Sequence, residues 1–145
     1  MRRLPRLLPS ATVVAACALA VVPAAGPAKA TSVAFQTPSH GIACAYATFD
    51  GKPSLRCDVA DVADPPRKPT SCELDYGSAF GLAATGKAQR LCAGDTVLDP
   101  KAKVLAYGRT RHLGPFTCTS RRTGLRCATH AGHGFVLSRT TQKLF

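Results

Sequence analysis

Hydrophobic and polar side chains alternate with a period of two around four of the cysteines, and this alternation is the strongest structural signal in the chain. Placing Cys44 opposite Cys57 in an antiparallel hairpin sets Tyr46 against Leu55 and Ile42 against Val59, so these side chains share one face. Ala43, Ala45, Arg56 and Asp58 fall on the other face. Between the arms lies Phe49-Asp50-Gly51-Lys52-Pro53, in which Asp-Gly is a strong turn signal. The construction works a second time. Pairing Cys118 with Cys127 sets Ser120 against Leu125 and Phe116 against Thr129, with Thr117, Thr119 and Arg126 pointing the other way. Arg121-Arg122-Thr123-Gly124 makes that turn, because Gly124 is free to take a positive backbone angle. Both second arms read Leu-Arg-Cys, which suggests two similar hairpin modules.

Elsewhere the pattern favours strands over helices. Val33–Gln36, Lys103–Tyr107 and Gly134–Arg139 are short runs bounded by turn residues, and Thr31–Pro38 as a whole reads as a lead-in or an edge strand. Pro65, Pro66 and Pro69 break the chain before Cys72, and Asp99-Pro100 begins another turn. Ala79–Leu91 can hold a helical turn or two, although Gly81 and Gly86 weaken it. The expected fold is a small, mostly β, antiparallel domain, a sandwich or open barrel built on hairpins, with little helix.

Cysteine usage adds the staples. Residues 1–30 look like a signal peptide: Arg2, Arg3 and Arg6 precede an apolar Ala11–Val22, and Ala28-Lys29-Ala30 supplies the small-x-small cleavage pattern. The competing reading is a lipid anchor through Cys17, from Val14-Ala15-Ala16-Cys17, although Ala18–Val22 stays apolar where a lipoprotein turns polar. With that segment removed, residues 31–145 form a single secreted domain with no apolar run long enough to span a membrane. Of the 7 cysteines, all but Cys17 remain, and an even number in an exported chain points to a disulfide framework. The two hairpins use Cys44, Cys57, Cys118 and Cys127, leaving Cys72 and Cys92 for each other. Each short loop closed this way is worth about 3 kcal/mol in the loop-entropy model, so reduction is expected to unfold the domain.

A family resemblance runs through the same landmarks. Pro38-Ser39-His40-Gly41-Ile42-Ala43-Cys44, Leu55-Arg56-Cys57-Asp58, Asp75-Tyr76-Gly77 and Cys92-Ala93-Gly94-Asp95-Thr96 are followed by Leu105-Ala106-Tyr107-Gly108, Gly124-Leu125-Arg126-Cys127 and Gly132-His133-Gly134-Phe135-Val136-Leu137-Ser138-Arg139. In this order they resemble a family of small exported actinobacterial proteins classed as a domain of unknown function. The resemblance implies export and a shared cysteine-bearing fold, and no activity. The chain departs from the family at Tyr76, where tryptophan is frequent, and at His40, where asparagine is more usual.

Charge supplies the main functional signal. The whole chain has a formal charge of +11; without residues 1–30 it keeps 15 Lys plus Arg against 8 acids, or +7. Residues 31–99 hold 6 of those basic residues and all 8 acids, whereas residues 100–145 hold 9 and no acid. Lys101, Lys103, Arg109, Arg111, Arg121, Arg122 and Arg126 form a cationic half suited to an anionic ligand, with binding that weakens as salt rises. Anionic envelope polymers, phospholipid head groups and a secreted protein are the candidate partners. The same half is poor in aromatics on which bases could stack, which argues against nucleic acid. The plainer reading is a surface that is merely cationic and soluble.

Catalytic and metal signals are sparse, and no cofactor is implied. His130 and His133 sit three apart, with His112 in the same half, but two imidazoles lack the third ligand and supporting acid that a zinc site uses. Glu73 and Asp75 share a strand face and read as solvated, because catalytic carboxylate pairs come from separate elements of a cleft. Asp95 is simplest as a turn residue. The leading expectation is therefore a non-catalytic secreted binding module. The alternatives are an inhibitor of a secreted protease, presenting Arg121-Arg122-Thr123 at a hairpin tip, and a small histidine-dependent hydrolase, which would need His133 beside Asp58, Asp75 or Asp95.

Overall fold

The computed structural model describes residues 32–145, so the segment expected to be a signal peptide and Cys17 lie outside the described residues. Two sheets make the domain. The first runs β1 (Ser32–Gln36), β2 (Ile42–Phe49), β3 (Lys52–Val59), β4 (Asp75–Ala83), β5 (Gln89–Ala93) and β6 (Lys103–Val104), in the spatial order β5-β4-β3-β2-β1-β6. The second is β7 (Thr110–Leu113), β8 (Phe116–Arg121), β9 (Gly124–Thr129), β10 (Gly134–Leu137) and β11 (Gln142–Leu144), in the order β11-β10-β9-β8-β7. Each is an antiparallel meander; the exception is β6, which returns parallel to β1. The described residues contain no helix. The fold is therefore mostly β, as expected from the alternation.

Both hairpins have the expected register. Cys44 faces Cys57, Tyr46 faces Leu55 and Ile42 faces Val59 across β2 and β3. Cys118 faces Cys127, Ser120 faces Leu125 and Phe116 faces Thr129 across β8 and β9. The connecting Asp50 and Gly51 have φ of 48° and 71°, the left-handed pair that matches the twist of a two-residue hairpin turn. The disulfides are Cys44–Cys57, Cys72–Cys92 and Cys118–Cys127.

The sheets pack through those inward faces. Phe35, Leu55 and Phe80 of the first sheet and Phe116, Leu125, Phe135 and Leu137 of the second are at most 1% exposed and belong to one cluster. Phe80 and Phe135 meet at 6.3 Å between ring centroids. At the centre the two cross-strand disulfides abut, with the sulfurs of Cys44, Cys57 and Cys127 within 4.8 Å of one another. The two modules suggested by the repeated Leu-Arg-Cys thus face each other across the core, sulfur against sulfur.

Three expectations change. Ala79–Leu91 holds no helix; it is the end of β4, a turn and the start of β5. Phe80 and Leu82 alternate inward opposite Cys57 and Leu55, and burying both outweighs local propensity. The Ser32–Gln36 strand is interior, bonded to β2 on one side and β6 on the other, because Phe35 must reach the core. The strand expected over Lys103–Tyr107 stops at Val104; Leu105 is buried with its amide still bonded to the Gln36 carbonyl, and the chain then turns, with the Arg109 amide bonded to the Ala106 carbonyl.

The outer face of the first sheet is partly covered by the β5–β6 connection. Arg56 pairs with Asp58 at 2.9 Å and with Asp95 at 2.7 Å, Asp58 accepts the Val97 amide at 3.0 Å, and Gln36 donates to the carbonyls of Pro100 and Ala102. This strap leaves Asp58 only 3% exposed, with both carboxylate oxygens bonded. The Arg56 guanidinium holds the Asp95 carboxyl below the usual carboxylate range, and the bond to Asp58, ahead of the other contributions, raises Arg56 above its own.

Candidate functional site

A concavity opens where one end of the first sheet meets one end of the second. It is an open cleft of about 520 Å³. The first sheet contributes Thr37, Ser39 and Gly41 from the β1–β2 loop and Val59 and Asp61 from the end of β3. The second contributes Arg121–Gly124 from the β8–β9 tip and Ser138–Thr140 from the β10–β11 turn, with Tyr107 from the loop before β7.

Backbone hydrogen bonds set each wall. His40 takes a left-handed φ of 58° and its amide bonds the Thr37 carbonyl, which closes the β1–β2 turn. The Ala60 amide bonds the Gly41 carbonyl and so ties that turn to the end of β3. Across the cleft, Gly108 and Arg109 zip onto Ser120 through Gly108 N–Ser120 O at 2.7 Å and Ser120 N–Arg109 O at 3.0 Å. This places the Tyr107 ring under Arg122, whose guanidinium carbon is 5.3 Å from the ring centroid. Thr141 donates its amide to Ser138 Oγ and forms the turn that carries Arg139. The Arg139 carbonyl accepts the Ala63 amide at 2.9 Å, a tie between the two sheets at the cleft's rim.

The electrostatics follow from chain order. All acids precede residue 100, so they belong to the first sheet and its connections, and the second sheet has none. Three arginines, Arg121, Arg122 and Arg139, therefore line the cleft with a single acid, Asp61. Among the described residues the ion pairs are those of Arg56, so none of the cleft arginines is neutralised by an acid. Hydroxyls of Tyr107, Thr123, Ser138 and Thr140 complete a surface able to donate several hydrogen bonds.

The cationic residues singled out in the sequence separate into groups. Arg121 and Arg122 line the cleft. Arg126 lies outside it, over the Phe145 ring at 4.8 Å, and Arg111, across from Cys118 on edge strand β7, reaches over Phe35 at 5.7 Å. Arg109 is exposed and contributes its backbone. His130 and His133 flank the β9–β10 turn, where His133 offers its carbonyl to Thr129, and His112 Nδ1 lies 3.2 Å from Thr117 Oγ1. Of the acids that a histidine hydrolase would borrow, Asp58 and Asp95 are both engaged by Arg56, and Asp75 is exposed at the start of β4 in the first sheet, whereas His133 belongs to the β9–β10 turn of the second. The potential metal ligands that converge among the described residues are Cys44, Cys57 and Cys127, whose sulfurs are already in disulfides. Sequence reasoning missed Asp61, Tyr107 and Arg139 as site residues. The signal for Arg139 was the β9–β10 register: Leu137 opposite Leu125 carries Ser138-Arg139 alongside the hairpin tip.

Residues 14–145 match the family described as "Family of unknown function (DUF6636)". The chain belongs to this family. No curated protein matches it, and no solved structure does. Membership carries no assigned activity, so a functional reading has to come from the cleft. No helix among the described residues is long and apolar enough to cross a membrane.

Proposed function

We propose that this is a secreted, non-catalytic binding module that holds an anionic envelope component in the cleft between its two sheets. The observation that carries the reading is the convergence of Arg121, Arg122 and Arg139 on one open cavity with no acid paired to any of them. Guanidiniums carried on short turns can form bidentate bonds to phosphate or carboxylate. The disulfides support an extracellular setting, where such bonds persist. The inhibitor reading takes second place: Arg122-Thr123 is a tight two-residue connection between β8 and β9 that forms a cleft wall, whereas an inhibitory loop presents an extended segment to a protease.

The test is retention on a heparin column. Wild type is expected to elute only at raised salt, and Arg121→Ala/Arg122→Ala/Arg139→Ala near the void. A control that loses the same charge at exposed positions outside the cleft, Lys101→Ala/Lys103→Ala/Arg109→Ala, should stay close to wild type. Equal loss in both triple variants would mean that net charge, and not the cleft, holds the ligand.

A further inference from the structure

We propose that the ligand class of this cleft is a polyol phosphate of the glycerol-phosphate type, read at two points: phosphate by the arginine wall and polyol hydroxyls by Asp61. The proposal rests on the anion-binding reading above and goes further by naming what lies between the charges.

Three features of the cleft select this chemistry. First, the walls differ in kind. The guanidiniums all come from the second sheet, and the carboxylate comes from the first, just beyond Val59. A site that collected charge alone would gain nothing from Asp61, which weakens the field acting on any anion. A carboxylate accepts hydrogen bonds and cannot donate them, so its natural partner beside an arginine-bound phosphate is a neutral O–H donor on the same ligand. Asp61 is exposed and belongs to neither ion pair of the described residues, so its oxygens are available.

Second, the hydroxyl complement is extensive. Thr37 is committed, donating to the Ile42 carbonyl at 3.3 Å, but Ser138 uses Oγ only to accept the Thr141 amide and keeps its own proton to donate. Thr123 and Thr140 add two more hydroxyls on the arginine side. Third, the cleft has no ring free to stack a base or a planar ligand, since Arg122 covers its one aromatic, Tyr107. Its apolar floor is limited to Ile42 and Val59, both buried, which offers little to an acyl chain. The cavity suits a phosphate with one or two small hydroxylated units, the size range of ordinary ligand sites.

The chemistry has two sources, a soluble polyol-phosphate polymer and a glycerophospholipid head group, and the experiment separates them. Binding is measured by titration calorimetry at fixed salt with poly(glycerol phosphate) and with inorganic polyphosphate at equal phosphate concentration, and by co-sedimentation with phosphatidylglycerol vesicles. Polyphosphate has the higher charge density, so electrostatics alone favours it. The expected result is at least tenfold tighter binding of poly(glycerol phosphate). Asp61→Ala should abolish that preference by weakening the glycerol polymer severalfold while leaving polyphosphate unchanged or tighter. Vesicle binding that soluble polymer displaces would show that the head group enters the same cleft, and vesicles left unbound would assign the polymer as the source. Polyphosphate binding as tightly as the glycerol polymer, or Asp61→Ala strengthening both alike, overturns the proposal and leaves the anion-binding reading standing. If neither polymer binds wild type more tightly than Arg121→Ala/Arg122→Ala/Arg139→Ala, the anion-binding reading itself fails.

Discussion

Gly134 is a position where one methyl group has much to disturb. A Cβ there would run into the backbone carbonyl of Cys127 and come within 2.8 Å of the Ala128 Cα, and neither can withdraw without parting β9 from β10. Gly134→Ala is expected to cost about 1–3 kcal/mol, read as a lowered denaturant midpoint; an unchanged midpoint would show that the strands separate more easily than their packing implies. Ser120 has the opposite sign. Its hydroxyl is fully buried opposite Leu125 with no hydrogen-bond partner, so Ser120→Ala should hold or raise thermal stability, by up to about 1 kcal/mol. Destabilisation instead would mean that the hydroxyl is satisfied. That Ser120 faces inward was readable from the alternation about Cys118 and Cys127. That it lacks a partner was not, because the surroundings of an inward hydroxyl depend on how the sheets pack and not on the alternation along one strand.

Among the elements, the β5–β6 strap and the disulfides can be perturbed separately. The Asp95 carboxyl has its pKa lowered by Arg56, so the stability this pair supplies is complete above the unfolded carboxylate value of about 3.9 and is lost as pH falls through the lower, folded value. Hydrogen exchange at the Val97 amide, which Asp58 holds, should therefore lose protection, measured against the intrinsic rate at each pH, as Asp95 is protonated, and Asp58→Ala should produce the same loss of protection at neutral pH. Protection indifferent to both changes would remove the strap from the account. The disulfides differ in access. Cys44, Cys57, Cys118 and Cys127 are 0% exposed, whereas Cys92 is exposed at the sheet edge. Limited reductant followed by thiol alkylation should label Cys72 and Cys92 first, with the circular dichroism spectrum kept, and global unfolding should follow only when the central bridges open. Simultaneous labelling of all six would contradict that order.

The elements best foreseen were the two hairpins, since cysteine pairing, turn signal and alternation coincide in each. β4 was the least legible: Gly77 and Gly81 dilute its pattern, and a bulge between Tyr76 and Phe80 shifts its register against β5. A Cβ at Gly81 would lie 2.9 Å from Leu91 Cδ2, the flexible end of a side chain on the neighbouring strand β5.

At the scale of the molecule, a charge asymmetry along the chain becomes an asymmetry between layers, because each sheet is a meander built from consecutive sequence. That much follows from counting residues once the strands are placed in order. The cleft did not follow, because it is assembled from five separate segments whose meeting depends on how the sheets stack. Register within the second sheet and packing between the sheets together decide which arginines line it: Arg126 lies over Phe145 and Arg111 over Phe35, while the β9–β10 register brings Arg139, just past the end of β10, to the hairpin tip.

The central claim is that anions are held between the sheets at that end of the molecule, and amide chemical-shift mapping during titration with polyphosphate tests it most directly. The expected shifts fall in residues 37–41, at Asp61, and in residues 121–124 and 138–140, and they disappear as salt is raised. Shifts gathered instead around Arg126, Lys143 and Phe145, with those four segments silent, would contradict it.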